Sequence, residues 1–331
     1  MNPADTPVPP ARLAGRVVAV LGFGNQGEAH ALNLRDAGVR VRVGARDGNG
    51  ANRARTHAFE VLPLAEAARG ADIAAVLLPD EVVPALWPEL RAALSGAAGL
   101  VFAHGYALLY SGLAMPERAD VVLVSPTGPG RVLRERVVAG SGLPAYLAVH
   151  QDASGDAWGL AEAYAEALGS ARARLWRTTV REETEVDLFG EQSVLCGGMN
   201  ALVTAAFDTL VAAGYAPEIA YLEVVHQLKY LADLMHERGV AGMREAISGT
   251  ALYGDLTRGP RIVNAHVRDA MTGVLDDIRS GRFAAEWAAE AAAGRPNLEE
   301  GVARAREHAI ERARRRALGL GDDGPGERRD R

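Results

Sequence analysis

Between residues 16 and 124 the hydrophobic positions fall in short, β-branched runs, each followed by turn residues. Residues 16–21 (RVVAVL) are the first such run, with glycine-rich turn chemistry straight after it, the pattern of a buried strand. Residues 39–43, 72–78 (DIAAVLL), 99–102 and 121–124 repeat the signal. Between them lie stretches with helical spacing: residues 28–37 (EAHALNLRDA), closed by Gly38, then 63–69 and 82–94. Strands alternating with helices predict an α/β Rossmann-like domain built on a parallel, doubly wound sheet. From about residue 181 the pattern changes to long helical periodicities at 182–213, 216–238 and 298–318, with few strand signals. The boundary is expected near residues 178–182. The expected organisation is a disordered lead-in at 1–15, rich in proline, an α/β domain at 16–180, a helical domain at 181–318 and a disordered tail at 319–331.

Composition narrows the function classes. The 331 residues provide for about two domains. With 42 acidic against 36 basic side chains the net charge is −6, and no basic run precedes the C-terminus, which argues against a nucleic-acid partner. The single cysteine, Cys196, excludes an intrachain disulfide framework and a multi-thiolate zinc site. No apolar run approaches the ~18 residues of a membrane span, so the chain is expected to be cytoplasmic, with no membrane partner. Of the basic side chains 35 are Arg and one, Lys229, is Lys, a bias that reads as genomic background.

Gly22, Gly24 and Gly27 form G-x-G-x-x-G between a strand and a helix. In that setting the first glycine permits the tight turn, the second lets the backbone approach a pyrophosphate, and the third allows helix to pack on strand. The helix N-terminus offers N–H groups and partial positive charge to the phosphates. The end of the second strand, where cofactor choice is made, reads Gly44-Ala45-Arg46-Asp47-Gly48-Asn49-Gly50. Arg46 and Asn49 favour the 2′-phosphate of NADPH, Asp47 pulls towards NADH, and Arg46 also reads as an ordinary solvated loop residue.

The helical half supplies carboxylates. Asp187 and Glu191 are spaced i, i+4, hence on one helix face, and Glu223 and Gln227 have the same spacing further on. Such faces are commonly no more than solvated surface. They also suit Mg²⁺, which takes hard oxygen ligands.

Several segments together resemble the ketol-acid reductoisomerase family: GFGNQGEAHALNLRDAG (22–38), LLPDE (77–81), FAHGY (102–106), GLPAYLAVHQDASG (142–155), EETEVDLFGEQSVLCGG (182–198), AGYAPEIAYLEVVHQLK (213–229), YGDLTRGPRI (253–262) and FAAEWAAEAAAGRP (283–296). The resemblance covers nearly the whole folded chain, at the length of the family's short form. It implies an all-helical, knotted second domain that pairs into a homodimer or higher homo-oligomer, with NADPH and Mg²⁺ as cofactors. It implies cofactor contacts at Gly22, Phe23, Gly24, Asn25, Gln26, Gly27, Arg46, Asn49, Leu78, Pro79, Asp80, His104 and Gly130. It further implies metal ligation by Asp187, Glu191 and Glu223, and catalytic roles for these three with His104 and Ser248.

Three positions depart from the family pattern. Gln227 stands where the family has a fourth carboxylate, which weakens a second metal site. In Ser125-Pro126-Thr127-Gly128-Pro129-Gly130 the family's lysine has become Thr127, a change that drift towards Arg does not explain. Arg131 is the nearest replacement for that charge. Leu252 stands where an acid is usual, two residues before Gly254. Alkyl migration needs both metals and a charge partner, whereas hydride transfer needs a positioned cofactor and one acidic or Lewis-acidic group. The leading expectation is therefore an NAD(P)H-dependent reductase of a small carbonyl (2-keto acid type) or imine substrate, with the isomerase half-reaction weakened or lost. A specialised biosynthetic role fits such a loss. The alternatives are a complete ketol-acid reductoisomerase and a non-catalytic nucleotide-binding paralogue.

Overall fold

The structure is a computed structural model and describes residues 8–321. The chain divides into two compact units, Met1–Val186 and Asp187–Arg331. The outer parts of the expected lead-in and tail, 1–7 and 322–331, lie outside the described residues.

In the first unit β1 (Val17–Leu21), α1 (Asn25–Asp36), β2 (Arg40–Gly44), α2 (Asn49–Thr56), β3 (Val61–Leu62), α3 (Leu64–Ala68), β4 (Ile73–Val76) and α4 (Val83–Ala93) come first. Then follow β5 (Gly99–Phe102), α5 (Tyr106–Tyr110), β6 (Asp120–Pro126), α6 (Gly130–Val138), β7 (Ala145–Gln151), α7 (Ala157–Ala167) and β8 (Leu175–Arg177). The strands form one eight-stranded sheet in the order β3-β2-β1-β4-β5-β6-β7-β8. The reversal of order beside β1 places the β1–α1 turn at a topological switch point, the place where such sheets take ligands.

The sheet is not wholly parallel. β7 runs antiparallel to β6, with Ala145 opposite Pro126, because the chain from Gly130 to Pro144 returns to the end of the sheet it left. β8 then pairs parallel with β7. Two apolar layers cover the faces: one holds Val18, Val20, Ile73, Leu147 and Tyr164, the other Leu21, Trp87, Leu100, Phe102 and Leu123. Part of the expected lead-in belongs to this unit. Leu13 is wholly buried in the first layer and Arg12 forms an ion pair with Asp156, so order begins before Arg16.

The chain passes between units within α8 (Val180–Gly190). The second unit is helical, but its long periodic stretches are interrupted. A π-helical turn occupies Glu191–Leu195 before α9 (Gly197–Ala212). After α10 (Pro217–Tyr221) a second π turn covers Leu222–His226. Then come α11 (Leu228–Ala246), α12 (Gly249–Ile262), α13 (Ala265–Arg279), α14 (Arg282–Ala292), α15 (Pro296–Glu307) and α16 (Ala309–Ala317). Gly239, at φ +70°, kinks α11, and extended His308 separates α15 from α16.

The core of this unit is small, with Phe207, Tyr221, Ala220 and Ala313 at its centre. Large apolar side chains such as Leu202, Met235, Tyr253, Leu256 and Ile262 are exposed. One helical stretch, Val180–Ala212, is long and apolar enough to cross a membrane by length and composition alone, contrary to the expectation of none. Asn200, Thr204 and Asp208 divide its apolar residues into shorter runs.

Candidate active site

The glycine turn after β1 is shaped by contacts that only glycine allows. Gly22 has φ +102°, and a Cβ there would lie 2.5 Å from the Leu77 carbonyl oxygen. A Cβ on Gly27 would lie 2.0 Å from the Gly22 carbonyl oxygen, so α1 packs directly on the turn. Gly24, by contrast, faces open space and caps α1 with no side-chain hydrogen bond, which leaves the first helical amides turned outward. Open space over a glycine beside uncapped amides fits a pyrophosphate.

The turn is braced from the far side of the crevice. Gln26 Nε2 donates to the Gly128 carbonyl at 3.0 Å, and the Arg131 amide donates to Asn25 Oδ1 at 3.3 Å. A Cβ on Gly130 would meet the Asn25 carbonyl oxygen at 2.0 Å. Among the described residues Gln26 Oε1 is buried without a hydrogen-bond partner, an acceptor waiting for a donor. Phe23 is buried against Phe59 and His57. Leu78, Pro79 and Asp80 follow β4 at the same end of the sheet, with Leu78 and Asp80 half-buried and Pro79 exposed.

Asp47 is held by Arg55, with Nη2 to Oδ1 at 3.1 Å. Arg46 and Asn49 are exposed, and Asn49 begins α2.

Next to β5, His104 places Nδ1 3.4 Å from Glu183 Oε1. The other Glu183 oxygen accepts the Gly105 amide at 3.0 Å. Glu183 is buried, and a Cβ on Gly105 would lie 2.1 Å from Thr184 Oγ1, so this glycine lets the histidine turn sit against α8. Tyr106 stacks on His104, with ring centroids 6.4 Å apart and planes at 25°. Burial, helped by the nearby charge of Asp80, the Tyr110 phenol and Glu81, pushes the Tyr106 hydroxyl up to about 12, so it stays protonated. The sequence analysis does not single out Glu183; its spacing of i, i+4 before Asp187 is the available signal.

Among the described residues no cation takes the place of the lysine in this turn. Thr127 spends both its amide and its hydroxyl on the Pro144 carbonyl, at 2.8 and 3.0 Å. Arg131 pairs with Glu135 along α6, Nη1 to Oε1 at 2.7 Å, with a largely exposed side chain.

In the second unit Asp187 is half-buried one turn beyond Glu183 on α8, and Glu191 is exposed at the start of the first π turn. Glu223 lies in the second π turn and accepts from Gln227 Nε2 at 2.6 Å, so the amide occupies an oxygen that a carboxylate would repel. Lys229 pairs with Asp233 at 2.5 Å. Ser248 caps α12, its hydroxyl accepting the Ala251 amide at 3.2 Å, and Asp255 is engaged by Arg244 at 2.6 Å. Both carboxylate-bearing segments thus carry π turns, which recur at functional sites.

Comparison with known proteins places both units. Residues 12–174 match the model of the acetohydroxy acid isomeroreductase NADPH-binding domain. Residues 180–318 match that of the ketol-acid reductoisomerase C-terminal domain. A ketol-acid reductoisomerase (NADP(+)) of Saccharopolyspora erythraea is 48% identical over 301 residues, 90% of this chain and 91% of that protein. The structure of an NADH-preferring ketol-acid reductoisomerase from an uncultured archean superposes with a TM-score of 0.91 at 37% identity, covering 96% of this chain and 98% of that one. A semialdehyde dehydrogenase NAD-binding protein from Cupriavidus necator, with TM-score 0.60 and 18% identity over 80% of this chain and 99% of its own, shares the fold alone.

Proposed function

The chain belongs to the ketol-acid reductoisomerase family of NAD(P)H-dependent oxidoreductases, and from that premise we propose that it reduces a small 2-keto acid or imine with NADPH while its alkyl-migration step is weakened or lost. The observation that carries this reading is the neutral turn at Thr127. Both Thr127 donors end on Pro144, and Arg131 is turned to Glu135. Loss of a preorganised donor where charge develops typically costs ~2.7–4 kcal/mol of transition-state stabilisation.

The residues divide the work as follows. Gly24 and the uncapped amides of α1 receive the pyrophosphate, and Arg46 meets the 2′-phosphate once Arg55 has neutralised Asp47. Asp187, Glu191 and Glu223 offer the oxygen donors that Mg²⁺ prefers, while Gln227 lowers the negative charge beside Glu223. These carboxylates would hold Mg²⁺, which when bound would supply Lewis-acid polarisation of a substrate oxygen. His104, steadied at Nδ1 by Glu183, exchanges the proton that follows hydride delivery, and Tyr106 keeps the imidazole in plane. A second copy of this chain covers the exposed apolar helices of the second unit, including α9 with Met199 and Leu202, and makes the protein a homodimer.

The names of the relatives favour a second reading, a complete ketol-acid reductoisomerase. The two part in a direct assay. Purified protein is given NADPH and Mg²⁺ with either 2-acetolactate or the 3-hydroxy-2-keto acid that migration would yield. The proposal expects oxidation of NADPH with the keto acid and at least a hundredfold less with 2-acetolactate. Turnover of 2-acetolactate near ~10 s⁻¹, an ordinary enzyme value, establishes the complete enzyme instead.

A further inference from the structure

The first turn of α1 carries a carboxylate where a dinucleotide phosphate would also lie. Glu28 is the residue after the third glycine, and an acid in this position competes for the same helix-terminal positive charge as the phosphates. Its charge is drawn sideways to α2. Arg53 Nε meets Glu28 Oε2 at 3.0 Å, and His57 Nε2 lies 3.1 Å from Glu28 Oε1, so both carboxylate oxygens are engaged. The same guanidinium reaches into the glycine turn: Arg53 Nη2 donates to the Phe23 carbonyl at 3.0 Å. Gly50, on α2, allows the approach, since a Cβ there would lie 2.9 Å from that carbonyl oxygen. The Phe23 ring is gripped by Phe59 at 5.8 Å and by His57 at 6.4 Å.

We propose that Arg53 is a cofactor-positioning residue with two duties: it fixes the backbone of the glycine turn through Phe23, and it holds the Glu28 charge away from the bound pyrophosphate. The inference rests on the reading of this turn as the NADPH site. A guanidinium suits both duties because its planar fork offers separate donors to a carbonyl and a carboxylate at once. The bonds lie on the partly exposed rim of the unit, with Arg53 47% and Glu28 29% exposed, so their removal leaves the apolar layers intact.

The two duties predict an unusual sign. If Arg53 only braced the fold, removing Glu28 as well would weaken binding further, because the His57 bond goes with it. If Arg53 also restrains a repulsive charge, neutralising Glu28 restores affinity. NADPH dissociation constants are measured by titration calorimetry on the full chain, with circular dichroism to confirm folding. Arg53→Ala is expected to weaken binding about tenfold, Glu28→Gln to leave it within about twofold, and the double variant to return within about threefold of wild type. Arg53→Ala within twofold of wild type, or a double variant no tighter than Arg53→Ala, overturns the inference. Failure of the unaltered chain to bind NADPH or NADH instead overturns the reading of the turn, so the two failures are told apart.

Discussion

His104 and Glu183, 79 positions apart in sequence, meet through Nδ1 and Oε1 at 3.4 Å, and the Glu183 side chain is only 1% exposed. A buried carboxylate is costly unless its oxygens are paired, and here the second oxygen takes the Gly105 amide at 3.0 Å. One side chain therefore fixes both the imidazole and the backbone that carries it. Glu183→Ala strands the Gly105 amide and is expected to destabilise the fold by about 1–3 kcal/mol in urea titrations. Glu183→Gln keeps an acceptor and loses less than about 1 kcal/mol, yet lowers kcat for the keto acid by at least about tenfold with KM little changed. Equal kcat in Glu183→Gln and wild type would remove Glu183 from the chemistry.

On the proposed reading, restoring charge at the altered turn should strengthen alkyl migration. Thr127 is exposed and gives up only its bond to the Pro144 carbonyl, so Thr127→Lys is expected to fold. Combined with Gln227→Glu it should raise turnover of 2-acetolactate by about 10- to 100-fold, read as NADPH oxidation in the presence of Mg²⁺. Unchanged rates in the double variant would place the defect elsewhere.

Gly24 and Gly27 separate binding from folding. A methyl group at Gly24 meets nothing within 4 Å, whereas at Gly27 it would lie 2.0 Å from the Gly22 carbonyl oxygen. Gly24→Ala should leave stability within about 1 kcal/mol while weakening NADPH at least about tenfold, because the methyl takes the space of the pyrophosphate. Gly27→Ala should lower the melting temperature as well. Thermal melts beside NADPH titrations read the two effects separately.

Cofactor preference should follow Arg46. Asp47 is held by Arg55 at 3.1 Å, and on the proposed reading the exposed Arg46 meets the 2′-phosphate. Arg46→Ala is expected to weaken NADPH about tenfold and NADH less than about twofold, by direct binding measurements. Equal losses for both cofactors would disconnect Arg46 from the phosphate.

A buried histidine sets the acid limit of the first unit. His30 is wholly buried beside the Tyr164 hydroxyl at 3.1 Å, and burial lowers it from the ordinary 6.5 to about 3. Because the folded value is the lower one, the unfolded chain binds the extra proton between pH 6.5 and about 3, and stability falls as the pH drops through that window. From pH 7 to pH 5 this one group accounts for a loss of about 2 kcal/mol. His30→Gln should flatten the slope of unfolding free energy against pH by that amount.

Legibility in the sequence followed the strength of local patterns. The β1–α1 turn was readable because three glycines, a β-branched run and a helical period coincide within residues 16–37. β3 and β8 are two and three residues long, too short to show alternation, and β7 reverses direction for a reason that lies in the path of residues 130–144. The pairing of His104 with Glu183 depends on contact between β5 and α8 and has no local trace. In the sequence Arg53 is one of 35 arginines; its two side-chain contacts, to Glu28 and to the Phe23 carbonyl, set it apart only in the fold. The reverse also holds: what Thr127 lacks is visible in the sequence, whereas the use of its hydroxyl and the outward turn of Arg131 are set by the fold.

The two π turns have a consequence for how this chain can change. Each closes a ring one residue wider than an α turn, Cys196 N to Glu191 O at 2.9 Å and Gln227 N to Leu222 O at 3.2 Å. One extra residue per turn rotates everything downstream by roughly 100° about the helix axis. Deleting a single residue inside Glu191–Leu195 would regularise the helix and improve its local geometry. It would also turn every side chain of α9 by roughly 100° relative to Asp187, upstream of the turn. The segment is therefore locked in length: tolerant of substitution on its exposed positions, and closed to insertions or deletions of one.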